Sequence, residues 1–220
     1  MRARVHTAIL TLLIGCSLLH ADDPAVAHQI RFAEAQLLAD APATELDGIA
    51  ALAILAHDPT TSAKTRLACM EAIIARHAAA GRAAATADTV DTTLRLFPEL
   101  ESARAFELRL LAGRSLADYA IALPATDVNR PRHFQRAQAY LTATTLIHHD
   151  KRADPEVVAE AMYWLYVSYL VQGDKVSAYQ IAKRLGWDYP ESKWAKMART
   201  NTHDLDFSKI EEQLDAGAAE

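Results

Sequence analysis

The sequence predicts an all-α protein made of antiparallel helix hairpins stacked on one another. Three observations predict it. Apolar residues recur at helical spacing from Ala25 onward, and nowhere do they alternate as a strand requires. Glycine (7) and proline (8) are sparse in 220 residues, which argues against a turn-rich β-sandwich. Hydrophobic residues reach 51% while aromatics reach only 7%, so alanine carries much of the apolar content, and alanine suits closely packed helices.

The first segment has its own logic. MRARVHTAILTLLIGCSLLHADDP places two arginines before an apolar run from Val5 to Leu19, then Asp22-Asp23-Pro24. A basic start, a short apolar run and a small residue at a cut site describe a secretory signal. The run is shorter than the roughly 20 residues of a spanning helix. Two cuts fit: after Ala21, giving a signal peptide over 1–21, or before Cys16, where Leu13-Ile14-Gly15-Cys16 has the spelling of a lipobox and Cys16 would be lipidated. Ser17-Leu18-Leu19 continues the apolar run, which favours the cut after Ala21 and a soluble exported form. Either cut leaves 21 basic residues against 28 acidic ones. With no basic tract, no nucleic-acid surface is expected, and the membrane enters only through an anchor at Cys16. Cys69 then has no intrachain partner, so a disulfide framework is excluded; among apolar helix positions it reads as a small buried hydrophobe.

The main domain covers 25–216, with a loose tail at 217–220. Ala25–Leu38 is a helix with Val26, Ile30, Ala33 and Leu37 as its stripe. The next is capped near Thr44 and stops before Pro59; the third starts from hydroxyl caps and ends at Gly81. A fourth runs to Phe97-Pro98, and a fifth from Glu99 to about Leu123. ATDVNRPRHF reads as a loop, followed by helix to His149. Asp154-Pro155 opens a helix that ends at Gly173-Asp174, since Asp is a good N-cap and Pro a good first helical residue. Another helix runs to Trp187, a short one follows Pro190, and DLDFSKIEEQLDAG makes a last, polar one suited to capping a stack.

The chain also echoes itself. Gly81 and Pro98 are 17 residues apart, as are Gly173 and Pro190. Phe97 and Tyr189 precede the prolines, and Ile73 and Leu165 lie eight residues before the glycines. In the better copy, Ala161, Tyr163, Leu165, Ser168-Tyr169, Gly173-Asp174, Ala178, Tyr189-Pro190, Ser192, Ala195 and Ala198 resemble a tetratricopeptide repeat, in the variant found in bacterial outer-membrane and periplasmic assembly proteins. The resemblance is specific over roughly 40 residues. Ala182 and Leu185 depart from it, and Met162 holds the usual Trp place. It implies a TPR-like α-solenoid in which Leu165, Tyr169, Gly173, Ala178, Tyr189 and Pro190 build the hairpin. It further implies a groove beside the first helix of the hairpin, helix A, which the glycine separates from helix B, with Tyr163, Val167, Leu170 and Val171 as the residues open to a protein or peptide partner.

Chemistry finds little support. His148-His149-Asp150 are adjacent residues, which diverge by about 100° on a helix and do not converge on one ion. His57-Asp58 ends a helix in the same way. Asp88 and Asp91 read as a solvated face, as does the small basic patch of Arg130, Arg132, His133 and Arg136. No metalloprotease, Cys-x-x-Cys, nucleophile-elbow or phosphate-loop motif occurs, so no cofactor, metal or catalytic residue is expected. The sequence thus reads as an exported, non-enzymatic interaction module or scaffold of a bacterial periplasm or outer membrane, of a kind that serves an envelope assembly or export complex. A self-associating structural subunit is the alternative, and an all-helical enzyme a more distant one.

Overall fold

The computed structural model describes residues 24–146 and 154–201. The signal segment with Cys16, the His148-His149-Asp150 run and the polar C-terminal segment lie outside the described residues. Among those described, every regular element is a helix. In chain order they are α1 (Pro24–Asp40), α2 (Glu45–His57), α3 (Ala63–Ala79), α4 (Ala83–Leu96), α5 (Ser102–Ala122), α6 (Arg130–Thr145), α7 (Pro155–Val171), α8 (Lys175–Asp188) and α9 (Lys193–Asn201). The chain divides into two compact units between Ala80 and Gly81. The echo of the hairpin motif around Gly81 therefore has its helix A in one unit and its helix B in the other.

The first unit is α1, α2 and α3, each packed on the other two. The stripe expected on α1 needs correction: Val26, Ile30, Ala33 and Leu37 are half-buried, and the buried positions are His28, Ala35 and Ala39. Small residues win there because α2 comes so close. A Cβ on Gly48 would lie 2.6 Å from the Cα of Ala39. Thr44 precedes α2, but its hydroxyl donates back to the carbonyl of Leu38 (2.8 Å) and does not cap the helix. Ser62 does cap α3, accepting from the N–H of Thr65 at 3.2 Å. Asp58 accepts from both the N–H and the hydroxyl of Thr60. Those bonds, with His28 and Arg31 nearby, hold its carboxyl below the usual range.

The second unit runs from α4 to α9. Neighbouring helices pack in sequence, and α7 also packs on its next-but-one neighbours, α5 and α9. One cluster joins α7 to α8 and α9 through Val158, Met162, Tyr166, Ala178, Leu185 and Ala195. A second joins α7 to α5 and α6 through Leu110, Leu141, Ala161 and Leu165. The expected loop at 125–134 is shorter than the sequence suggested, since α6 already begins at Arg130. Pro131 sits in the first turn, where no N–H is needed, and Arg130 Nε donates to the carbonyl of Ala120 at the end of α5 (2.9 Å).

The turn at Gly173 is left-handed, with φ +81°, and the N–H of Asp174 reaches back to the carbonyl of Tyr169 (3.0 Å). Asp174 then caps α8 by accepting from the N–H of Ser177 (3.0 Å). A Cβ on Gly173 would meet nothing within 4 Å, so backbone strain alone opposes a side chain. Gly173→Ala is expected to cost about 1 kcal/mol, read from urea unfolding midpoints.

Candidate functional site

The four positions proposed for partner contact lie in the C-terminal half of α7 and do not share one environment. Tyr163 is only 7% exposed. Trp194 of α9 lies against it with ring centroids 5.2 Å apart, and Trp164 and Tyr166 flank it at 5.9 and 6.2 Å. Its ring therefore belongs to the α7–α9 contact more than to an open surface. Val167 and Leu170 are half-buried, and Val171, at 37%, is exposed. The hairpin residues stand apart from these. Leu165 and Ala178 are buried, Tyr169 and Tyr189 are half-buried, and Pro190 is exposed.

Glu160, Trp164, Val167 and Val171 are spaced i, i+4, i+7 and i+11, so they form one stripe on α7. Glu160, with 16% of its side chain exposed, accepts from Arg114 Nη1 of α5 at 2.9 Å. One turn further along α5, Asp118 faces the same arginine. Partial desolvation raises its carboxyl above the usual range, and Arg114 offsets part of the rise. The stripe therefore offers a bound charge pair at one end and aliphatic side chains at the other, with Trp164 between. Lys193, its ammonium 4.7 Å from the Trp194 ring, adds a cation on α9. Sequence reasoning did not find Arg114, Glu160 or Trp194 as members of this face. Arg114 and Glu160 are 46 residues apart, and no local spacing signals such a pair.

The other groups singled out from sequence have structural partners. Arg136 of α6 pairs with Asp88 (2.6 Å) and Asp91 (2.9 Å) of α4, which corrects the reading of all three as merely solvated. Tyr140 joins them by donating to the carbonyl of Ala87 (3.1 Å). Arg130 caps α5, as noted, and stands over the Phe134 ring; His133 packs edge-on against Tyr119 at 5.0 Å. Arg132 is exposed. His57 Nδ1 lies 2.8 Å from the carbonyl of Ala53 in its own helix. Among the described residues no group of three His, Cys, Asp or Glu side chains could hold a metal ion, and no helix is long and apolar enough to cross a membrane.

Cys69 is fully buried in α3, and burial pushes its thiol up to about 11. It should resist a thiol reagent in the folded protein and react fully in guanidinium. The neutral thiol is favoured by the fold, so between the ordinary thiol range and pH 11 the folded state binds more protons than the unfolded one. This contribution to stability is present below that window and falls as pH rises through it, which denaturation at stepped alkaline pH would read in Cys69→Ala against the parent.

Comparison with family models, with curated proteins and with solved structures finds no match to this chain.

Proposed function

We propose that the chain is an exported, non-enzymatic, TPR-like interaction module that holds a protein or peptide segment along the α5–α7–α9 face of its second unit. The observation that carries this is the next-but-one packing of α7 on α5 and α9. Helices that alternate in this way line up side by side and leave one continuous face, as hairpin arrays do. Local geometry adds support. Gly81 and Gly173 both take positive φ, at +67° and +81°. Phe97 and Tyr189 both close the following helix in closely similar backbone geometry, at φ −127°, ψ 67° and φ −134°, ψ 56°. The N–H of Leu100 and of Ser192 then bond to the carbonyls of Phe97 and Tyr189. The same start and stop thus recur 92 residues apart. That interval holds two helix pairs, about 46 residues each against 34 in the family, and the 21-residue α5 takes up part of the difference.

On this reading an extended or helical peptide would lie across Trp164, Val167, Leu170 and Val171, with the Arg114–Glu160 pair and Asp118 setting its direction through charge. Binding is noncovalent, and no group is asked to donate a proton or attack a bond. The test is a photo-crosslinking side chain placed at Val171 in intact cells, with the same group at Ala139, exposed on α6, as control. One partner should be captured at Val171, not at Ala139, and lost again in Trp164→Ala. Equal capture at both positions, or none, would reject the face. Recovery of the mature protein in the cytosolic fraction would reject export.

A further inference from the structure

The first unit carries a surface that the peptide-binding reading does not use. We propose that the outer face of α2 is an antiparallel docking surface for a second copy of this chain. The proposal concerns the first unit alone and does not rest on the function proposed above.

The helix reads ELDGIAALAILAH and is apolar on all sides. One side, with Gly48, Leu52, Leu55 and Ala56, is buried in the unit. On the opposite side Leu46, Ala50 and Ile54 follow at four-residue spacing and so share a face. Leu46 is 68% and Ile54 72% exposed. A helix that is hydrophobic all round is normally covered all round.

The order of these side chains points to what covers them. Large, small and large residues are symmetric about Ala50. A two-fold axis through Ala50 would set Leu46 of each copy against Ile54 of the other, with Ala50 on Ala50 at the closest approach. That is the self-complementary pattern an isologous dimer requires. The charges agree with it. Asp47 lies in the first turn of α2, and His57, exposed, in the last. An antiparallel pair about Ala50 sets Asp47 opposite Ala53 of the second copy, with His57 of that copy about one turn beyond, and brings opposite helix-dipole ends together. Shape agrees as well. Beside Ile54 lies an open groove of about 240 Å³ between α1 and α2, walled by Leu38, Ala51 and Leu55 and rimmed by Arg31 and Asp58. The same axis carries Leu46 of the second copy to the mouth of that groove. One helix face and its groove are smaller than the ~800 Å² per partner of a standard interface, so the dimer should be weak and concentration-dependent.

Sedimentation velocity on the full chain tests this. The average mass should rise from one chain toward two across the micromolar range, and Ile54→Glu should hold it at one chain with an unchanged circular dichroism spectrum. Ala50→Cys, in a background with Cys16→Ser, should form an inter-chain disulfide roughly tenfold or more faster than Ala84→Cys, an exposed control on α4. A chain that stays single at the highest concentration leaves this face to some other partner and overturns the proposal. So does a dimer that survives Ile54→Glu, or equal cross-linking at the two positions.

Discussion

Gly48→Ala is expected to destabilise the first unit by about 3 kcal/mol, an unusual loss for the addition of one methyl group. The reason is where that methyl would sit. It would overlap the backbone nitrogen of Ala39 and lie 2.6 Å from its Cα and 2.7 Å from its Cβ. A side chain can rotate away from a clash, but the obstacle here is the backbone of α1. Relief therefore requires α1 and α2 to separate along their whole contact, which strips cover from Leu52, Leu55 and Ala56. Gly186→Ala is the contrasting control. Gly186 lies within α8, and a Cβ there would meet nothing within 4 Å. With no clash, the helix propensity of alanine dominates, and the change should stabilise by about 0.5–1 kcal/mol. Urea denaturation of both variants measures the difference in sign. Hydrogen exchange should place the loss in Gly48→Ala among the amides of α1, α2 and α3. A loss below about 0.5 kcal/mol would mean that α1 and α2 do not approach as described.

These two glycines show what the sequence does and does not reveal. Helix boundaries were legible because caps and breakers act locally. Asp154-Pro155 opens α7 with the Asp154 carboxylate accepting from the N–H of Glu156 (2.9 Å), and Gly81 and Gly173 end their helices in left-handed turns. The closeness of α1 and α2 was not legible. Gly48 sits inside a helical pattern, where sequence marks it only as an unfavourable residue, and the value of lacking a Cβ depends on Ala39 across the contact. The half-buried Val26 stripe misleads for the same reason: apolar periodicity reports which residues are large, whereas this contact selects small ones.

The candidate site divides in the same way. Val167 and Val171 could be read as one stripe from spacing along α7. The burial of Tyr163 could not, because Trp194 lies 31 residues further on and reaches it only when α9 packs on α7. The Arg114–Glu160 pair and the Arg136 bridges to Asp88 and Asp91 likewise join helices whose adjacency no local pattern encodes. Spacing within one helix identifies a face; only packing between helices decides whether the face is open.

Tyr166 gives the second large effect, and here two substitutions should differ in sign. Its ring is fully buried where α7 meets α8 and α9, within the cluster of Met162, Ala178, Leu185 and Ala195. Removing it in Tyr166→Ala leaves a void that helix backbones cannot close, and a loss of about 3–5 kcal/mol is expected. The phenol oxygen is a separate matter. It is buried and makes no hydrogen bond to the described residues. An unmatched buried hydroxyl costs about 1–3 kcal/mol, so Tyr166→Phe, which keeps the ring and deletes only the oxygen, should leave stability unchanged or raise it by about 1 kcal/mol. Burial, with Tyr163 adding to it, raises the Tyr166 phenol above its ordinary range. The fold thus favours the neutral form, and above the ordinary phenol range the folded chain holds a proton that the unfolded chain has lost. Stability from this source is intact at neutral pH and declines as alkaline pH climbs toward the raised value. Tyr166→Phe should therefore soften the alkaline loss as well as spare the fold. Urea midpoints at neutral and alkaline pH read both effects. A Phe variant about 1 kcal/mol less stable than the parent would show instead that the hydroxyl is paired, and that the α7–α9 contact is less dry than its side chains imply.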